Sequence, residues 1–533
     1  MRPVQKVERR PIYSSRLAKE MLPGQVKPLI WSINIPLVNG AWVKLFKEIA
    51  GVKGIDPLEL ARAFHYRAYF NMGEVGRIFE QMGLPRSSLE IMMSGKGKIK
   101  MRFEPKMMAI APRAALFVLS KINIRHEIDR FIAKAEPHYD RLIKEDLSSA
   151  SETDLLERSD DLFRYNEKAA YYNILSMLFA QIYARALQKR EALAEHYNWS
   201  TSDGKYVNAY PHKKLEEMRK AIGSLPPEVR MKVETSKCSE LEEIEEAAMV
   251  SSLLREYLSK YGHYSESGND FSKVPWREDP EIVWKLVLAM DTTDGKNIEK
   301  TRSKDVGRPS ISGFMIRGIG RKTALFSDLR ERMGSTYTKG YGIFRRYYLE
   351  IGKRFSEKGL IEVPEDIFYL YLEEIRSAIH EGRTEGLKDE VMKRKDEMAR
   401  TANVLLPEVI YGEDPPPFET CPKDILSGIP SSGGYYRGKA KVVRGIGDFA
   451  KVAKGDIIII PFSDVSWSSV FAKAGAVVSE SGGMLSHSSI VAREFGIPAV
   501  VSVKHAMNIE DGSMVVVDGY TGKVVLEGIS EGP

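Results

Sequence analysis

The stretch AVVSESGGMLSHSSIVAREFGIPAVV, residues 476–501, leaves this chain little freedom in how it folds. Ala476–Ser479 is an apolar run too short for a helix, and Gly482 and Gly483 mark a turn directly behind it. Ser486 is a good N-cap, while Gly496 followed by Pro498 stops whatever helix begins there, so the helix is about three turns at most. A second apolar strand starts near Ala499. Val491 and Phe495, one turn apart with Ile490 and Ala492 beside them, form the face that packs on the strands; Arg493 and Glu494 point elsewhere. One histidine, His487, falls on the first turn.

A helix N-terminus offers unpaired N–H groups and the positive end of the dipole, and glycines let backbone come close to a ligand. An anion attached to His487 is therefore stabilised, and an imidazole with a reference pKa of about 6.5 is largely the uncharged nucleophile near neutral pH. A lone histidine at a helix start is more often a cap residue or a surface group. Spacing by itself leaves both readings open.

The residues carry more than spacing. GG-x-x-SH-x-x-IVARE-x-GIPAVV resembles the phosphohistidine signature of the swivelling domain of phosphoenolpyruvate-utilising enzymes, a family that includes phosphoenolpyruvate synthase, pyruvate phosphate dikinase, rifampicin phosphotransferase and phenylphosphate synthase. Residues 428–443, 455–471 and 511–525 resemble the rest of that domain. Ser463, Val465 and Ser469 stand where the family often has Thr, Pro and Pro, and Leu485 replaces a frequent Thr. The resemblance implies that His487 is the phosphorylated nucleophile, with Gly482, Gly483, Ser486 and Arg493 as phosphoryl-binding candidates.

At 533 residues the chain suits two or three domains. Its 79 basic and 73 acidic residues leave a net charge of +6, too small an excess to argue for nucleic acid or a membrane as partner. Cys238 and Cys421 are far apart and lack metal-ligand spacing, which reads as reduced thiols in a cytoplasmic protein with no metal site of its own. No apolar run is expected to reach the ~18 residues of a membrane span. The basic N-terminal residues Arg2, Lys6, Arg9 and Arg10 have no apolar stretch behind them and do not read as a secretory signal.

Along the chain, Glu20–Ser32 contains Pro23, Gly24 and Pro28 and is expected to be a loop. It resembles the opening of the substrate domain of rifampicin phosphotransferase and its relatives, which makes Trp31 a candidate for lining an acceptor pocket. Phe64–Pro85 reads as an aromatic strand followed by a helix, and by the same resemblance Arg67 and Asn71 are acceptor-binding candidates, though core or surface roles are commoner for such residues. Amphipathic helix dominates 113–196, with Ser151–Asp154 as an N-terminal signal, and resumes over 213–261 with a break at Pro226 and Pro227.

Tyr261–Pro280 is a polar loop carrying His263. Such a histidine usually lies on the surface, but the loop resembles a YGHRG-x-GE segment of the same substrate domain, which makes His263 the candidate base for the acceptor's proton, with a pKa near neutrality. Tyr264 replaces the family's Arg and Gly268 its Glu, which removes an ion-pairing element, favours a more neutral or aromatic acceptor and makes Tyr264 an acceptor-binding candidate. After a link over 302–320, Arg330, Arg332, Lys339, Arg345 and Arg346 form the densest cationic region. Many such charges simply face water. Phosphoryl transfer needs positive charge on its equatorial oxygens. Leu329-Arg330-Glu331 resembles a motif whose arginine serves the transfer site, so Arg330 is assigned there and Lys339 to phosphoryl binding.

Residues 406–422 contain Pro415, Pro416 and Pro417, which favour extended polyproline II. About 17 residues at ~3.1 Å each would reach on the order of 50 Å. The expected fold is α+β, with a mainly helical acceptor domain over 1–405, a hinge over 406–422 and a compact β/β/α swivelling phosphohistidine domain over 423–533. No Gly-rich phosphate cradle stands before Glu20. The resemblance therefore implies a separate ATP-grasp subunit that holds ATP with Mg²⁺ and phosphorylates His487, and a small-molecule hydroxyl, such as a phenol, as acceptor. The competing expectation is a regulatory or binding protein that keeps the architecture without independent catalysis.

Overall fold

The computed structural model describes residues 11–15, 18, 22, 24–84, 105–191, 211–265, 267–288, 311–402, 406–407, 409–413, 425–463, 467–483 and 486–527. The basic N-terminal tail, residues 302–310, the proline triplet, Cys421, Val465 and Leu485 lie outside them.

The fold is α+β. In chain order it comprises β1 (Ile12–Ser14), α1 (Pro28–Ala50), β2 (Ala61–Phe64), β3 (Arg67–Asn71), α2 (Met72–Gln81), α3 (Pro105–Ser120), α4 (Ile124–Lys144), α5 (Glu152–Glu191), α6 (Pro211–Gly223), α7 (Pro227–Thr235), α8 (Ala248–Tyr261), α9 (Pro280–Leu288), α10 (Ile311–Glu357), α11 (Leu372–His380), α12 (Leu387–Thr401) and β4 (Val409–Tyr411). The remainder is β5 (Ile425–Ser427), β6 (Ile429–Ser432), β7 (Tyr435–Val442), β8 (Ile457–Ile460), α13 (Ser468–Phe471), β9 (Ala476–Ser479), α14 (His487–Phe495), β10 (Ala499–Val501), β11 (Met514–Asp518) and β12 (Lys523–Glu527). The chain divides into two compact units, one of residues 1–171, 269–272 and 343–421, the other of residues 172–268, 273–342 and 422–533.

In the first unit a small antiparallel sheet of order β2-β3-β1-β4 stands beside helices. His65 and Tyr66, both at positive φ, turn the chain between β2 and β3, so the aromatic start of this region is a hairpin and not one strand. Two expectations are corrected here. Pro28 does not keep its neighbours in a loop. It is the first residue of α1, where a missing N–H costs nothing, and Trp31 consequently lies on a helix. In addition, β4 pairs with β1 through Ile12 and Tyr411, and Leu406 and Ile410 are buried, so 409–411 is part of a sheet, Leu406 belongs to its core, and neither is free spacer.

Length and composition also allow α1 to cross a membrane, against the expectation from sequence, but half of its most apolar window is buried inside the protein. Leu29, Ile30, Ile33, Leu37, Ala41 and Leu45 are all at most 1% exposed, which is how a core helix uses its apolar residues.

The second unit carries an eight-stranded mixed sheet of order β5-β12-β11-β7-β8-β9-β10-β6. Its centre, β7-β8-β9-β10, is parallel, and Ile457–Ile460 and Ala476–Ser479 are buried throughout, as strands covered on both faces must be. One apolar core joins Leu215, Tyr257, Trp276 and Trp284 from the helical part of this unit to Phe449, Trp467, Val477 and Val491 from the sheet part. Any swing of the sheet domain has to part this core. The link over 302–320 is also shorter than its composition suggests, because α10 is helical from Ile311.

Candidate functional site

His487 sits where the carboxyl end of β9 feeds through a tight loop into α14, and α14 returns the chain to β10 parallel to β9. Ligands of open parallel sheets gather at this end of the strands. Val491 and Ala492 bury one face of α14, with Ile490 and Phe495 partly covered, and Gly496 closes the helix in the left-handed conformation at φ 65°. The local reading of this segment from sequence therefore matches the structure.

The cap differs. Ser486 has N-cap backbone geometry, but its hydroxyl donates to the Gly483 carbonyl at 2.8 Å, lies 3.1 Å from Ser489 Oγ and makes no cap bond to the helix. Ser489 Oγ donates to that same carbonyl at 2.6 Å, and Ser502 Oγ donates to the Gly482 carbonyl at 2.6 Å. Ser463 and Ser488 share a hydroxyl hydrogen bond of 2.7 Å. Gly482 is at φ 109°, and a Cβ there would lie 2.9 Å from Ser486 Oγ, so glycine is required on both counts. Serine hydroxyls thus hold the loop from its carbonyl side, and the N-cap residue Ser486 does not cap α14 with its side chain. That is the arrangement an anion on His487 needs. His487 itself is half-buried.

Arg493 does not share this end of the helix. Six residues on, at ~1.5 Å rise per residue, it lies roughly 9 Å along the axis. Its Nε donates to the Ser431 carbonyl at 2.8 Å, tying α14 to β6.

A second group of predicted residues meets on α10. His263, 7% exposed, places Nε2 3.1 Å from Ser335 Oγ, and Glu331, Ser335 and Lys339 follow at four-residue spacing on one face of the helix. Burial first, then the charges of Arg277 and Lys339, push the His263 pKa down to about 3. The backbone at Lys260 and Ser335 favours the protonated ring, but Nδ1 finds no partner with hydrogen-bond geometry. The near-neutral value expected of a base is thus absent in this arrangement, and the imidazole is uncharged. Arg330 forms an ion pair with the adjacent Glu331, both about a quarter exposed. Arg345 and Arg346, by contrast, serve the fold, donating to the carbonyls of Ser272 and Glu145 at 3.0 and 2.8 Å.

Tyr264 is half-buried, 4.5 Å from the His263 ring and 5.6 Å from Trp276 by centroids. A Cβ on Gly268 would lie 3.2 Å from Thr338 Oγ1, so the glutamate of the relatives' motif has little room here. The remaining acceptor candidates, Trp31, Arg67 and Asn71, belong to the other unit. Trp31 is half-buried. Arg67 Nη2 donates to the Thr401 and Ala402 carbonyls at 2.9 and 2.8 Å, and Asn71 Oδ1 caps α2 by accepting from the N–H groups of Gly73 and Glu74. Both polar side chains are engaged in holding the first unit together. Sequence reasoning missed Ser335, Ser489 and Ser502; the three-residue step from Ser486 to Ser489 and the four-residue step from Ser335 to Lys339 were the available signals.

Comparison with known proteins agrees with this geometry. Residues 452–522, which contain the His487 loop, match the mobile domain of PEP-utilising enzymes, and residues 167–307, which contain His263, match the fourth domain of rifampicin phosphotransferase. The chain thus has one segment similar to the mobile domain of PEP-utilising enzymes and another similar to a domain of rifampicin phosphotransferase. Among individual proteins it is similar to the rifampicin phosphotransferase of Bacillus subtilis, at 28% identity over 316 residues, covering 54% of this chain and 35% of the relative. That of Streptomyces sviceus is 26% identical over 295 residues, covering 50% and 33%. The chain therefore spans about a third of the length of the curated relatives it matches. Among solved structures, aconitase X of Thermococcus kodakaraensis aligns over 98% of its own chain and 20% of this one, at 21% identity and a TM-score of 0.17.

Proposed function

We propose that this chain is the phosphohistidine-bearing part of a dikinase-type phosphotransferase acting in the cytoplasm. A separate ATP-grasp polypeptide holds ATP with Mg²⁺; the γ-phosphoryl leaves to water as phosphate, the β-phosphoryl passes to an imidazole nitrogen of His487, and AMP departs. In the second step the N–P bond of His487 breaks as a bond forms between phosphorus and the hydroxyl oxygen of an organic acceptor, whose proton goes to a base. None of the steps given to this chain runs through the metal.

The observation that carries this reading is the position of His487 on the first turn of α14, behind a Gly-Gly loop held from its carbonyl side, within residues that match a PEP-utilising mobile domain. Transfer from phosphohistidine needs positioning and charge more than further covalent help. Arg330 and Lys339 supply the charge. His263, uncharged in this arrangement, accepts the hydroxyl's hydrogen bond, and an arriving phosphoryl anion raises its affinity for the proton. The test is to phosphorylate the chain with its ATP-grasp polypeptide, remove ATP and add phenols and alcohols one at a time. Movement of phosphate from protein to an organic hydroxyl supports the proposal; phosphoprotein that only hydrolyses, whatever the acceptor, favours a regulatory protein instead.

A further inference from the structure

Helix α3 turns its apolar residues outward. Met108, Leu116, Val118, Leu119 and, in the turn that follows, Ile122 are each 57–71% exposed. Met108, Pro112, Ala115 and Leu119 follow one another at three- and four-residue spacing and make one stripe. Phe117, about half a turn round from Leu119, is buried, on the side where α3 lies along α1. Arg113 Nε donates to the Glu48 carbonyl at 3.3 Å and Lys121 Nζ lies 3.5 Å from the Glu48 carboxylate, so the helix is pinned to α1 with its stripe facing solvent. Exposed apolar side chains are ordinary when scattered, whereas a contiguous group of this kind marks a binding face.

The charge around the stripe has one sign. No Asp or Glu occurs from Pro105 to His126, and residues 94–126 hold eight Lys and Arg against a single acidic residue, Glu104. That local excess is larger than the +6 of the whole chain, so the overall figure conceals a concentration of positive charge. Lys106 and Arg125 stand exposed at the two ends of the stripe, and the Arg125 pair with Asp129 is a loose surface contact at 3.6 Å.

An aliphatic face bounded by cations complements an anionic lipid surface, with acyl chains under the stripe and headgroup charge at its edges. A second copy of this chain fits less well, because a twofold contact through α3 would set like charges against each other. Protein interfaces are enriched in aromatic side chains, and this stripe offers only Met, Ala, Pro, Leu, Val and Ile. The 16 residues of α3 at ~1.5 Å each reach about 24 Å, short of the ~30 Å hydrocarbon core. The next helix, α4, is bent from it by 53° and keeps Ile128, Phe131 and Tyr139 in the protein core. The geometry is that of a helix lying on a bilayer and not crossing it.

We propose that α3 docks this protein on an anionic membrane surface, with Met108, Leu116, Leu119 and Ile122 entering the boundary between headgroups and acyl chains and Lys106 and Arg125 meeting anionic headgroups. None of these residues belongs to the relay, so the inference stands apart from the phosphoryl-transfer reading. The experiment is co-sedimentation of the full chain with vesicles of phosphatidylglycerol and phosphatidylcholine in equal parts, and with phosphatidylcholine alone. Wild type is compared with Leu116→Glu/Leu119→Glu and with Lys106→Glu/Arg125→Glu, alongside thermal unfolding and sedimentation velocity of each. Wild type should bind the anionic vesicles at least roughly tenfold more tightly than the neutral ones, and each double variant should lose roughly tenfold or more in affinity while keeping its thermal midpoint. Wild type that ignores anionic vesicles, or double variants that bind them as wild type does, overturns the proposal. Self-association that Leu116→Glu/Leu119→Glu abolishes, with no vesicle binding, overturns it as well and gives the face to a second copy.

Discussion

The hydroxyl of Ser486 donates to the carbonyl of Gly483, 2.8 Å away, and so turns back into the loop and away from the helix it precedes. Ser489 reaches the same oxygen from one turn further along, so a single carbonyl fixes the loop to both the start and the interior of α14. The consequence is a first helical turn that its own N-cap residue does not cap with its side chain, beside a histidine that is half-buried. Removing either hydroxyl loosens the platform for His487 without touching the imidazole. Ser489→Ala should lower stability by about 1 kcal/mol and slow phosphorylation of His487, measured by denaturant unfolding and by label incorporation.

Gly482→Ala should act more strongly. The backbone there is at φ 109°, and the new methyl group would press on Ser486 Oγ at 2.9 Å. Strain of this kind costs on the order of 1–3 kcal/mol where the loop holds its shape, and where it yields instead the His487 turn is displaced. Thermal unfolding and the initial rate of label uptake should both fall, whereas the same change at Gly447, around which a Cβ has open space, should leave both unchanged.

The buried imidazole of His263 makes stability depend on pH. Its folded pKa, about 3, lies below the ~6.5 of an unfolded histidine. The unfolded state therefore takes up a proton first on acidification. The contribution is fully present above about pH 6.5 and is lost as the pH falls toward about 3, at up to roughly 1.4 kcal/mol per pH unit. Carboxylates add to the same trend, so the informative quantity is a difference: His263→Gln should flatten the fall in unfolding free energy between pH 6.5 and pH 4 relative to wild type.

Arg67 and Asn71 are predicted to matter to the fold alone. Asn71→Ala removes the cap of α2 and should cost about 1 kcal/mol. Arg67→Ala removes two charge-assisted bonds to the end of α12 and should cost on the order of 1–3 kcal/mol. Neither should alter phosphate transfer from His487 when assayed well below the unfolding temperature, and a selective loss of transfer in either variant would return it to the acceptor site.

What could be read from the sequence was what is settled within a few residues. The β9–α14–β10 unit follows from a short apolar run, two glycines, one helical apolar face and a Gly-x-Pro stop, all inside 26 consecutive positions. Ser151 and Asp154 cap α5 reciprocally for the same reason, at 2.8 and 3.1 Å. Readings failed where the deciding partner is distant in sequence. Residues 409–411 looked like spacer because their strand partner, β1, lies at the other end of the chain. Arg67 looked free for a ligand because Thr401, 334 positions away, is invisible to local pattern. Pro28 was misread for another reason: proline excludes a helix running through it but favours one that begins at it.

The most direct measurement is to incubate the chain with its ATP-grasp polypeptide, Mg²⁺ and ATP labelled at the β-phosphate, and then to digest and map the label. The account predicts acid-labile, base-stable phosphate on a peptide containing His487, formed together with AMP and absent from His487→Ala. Label that persists at the wild-type level in His487→Ala, or that maps to another residue, would contradict it.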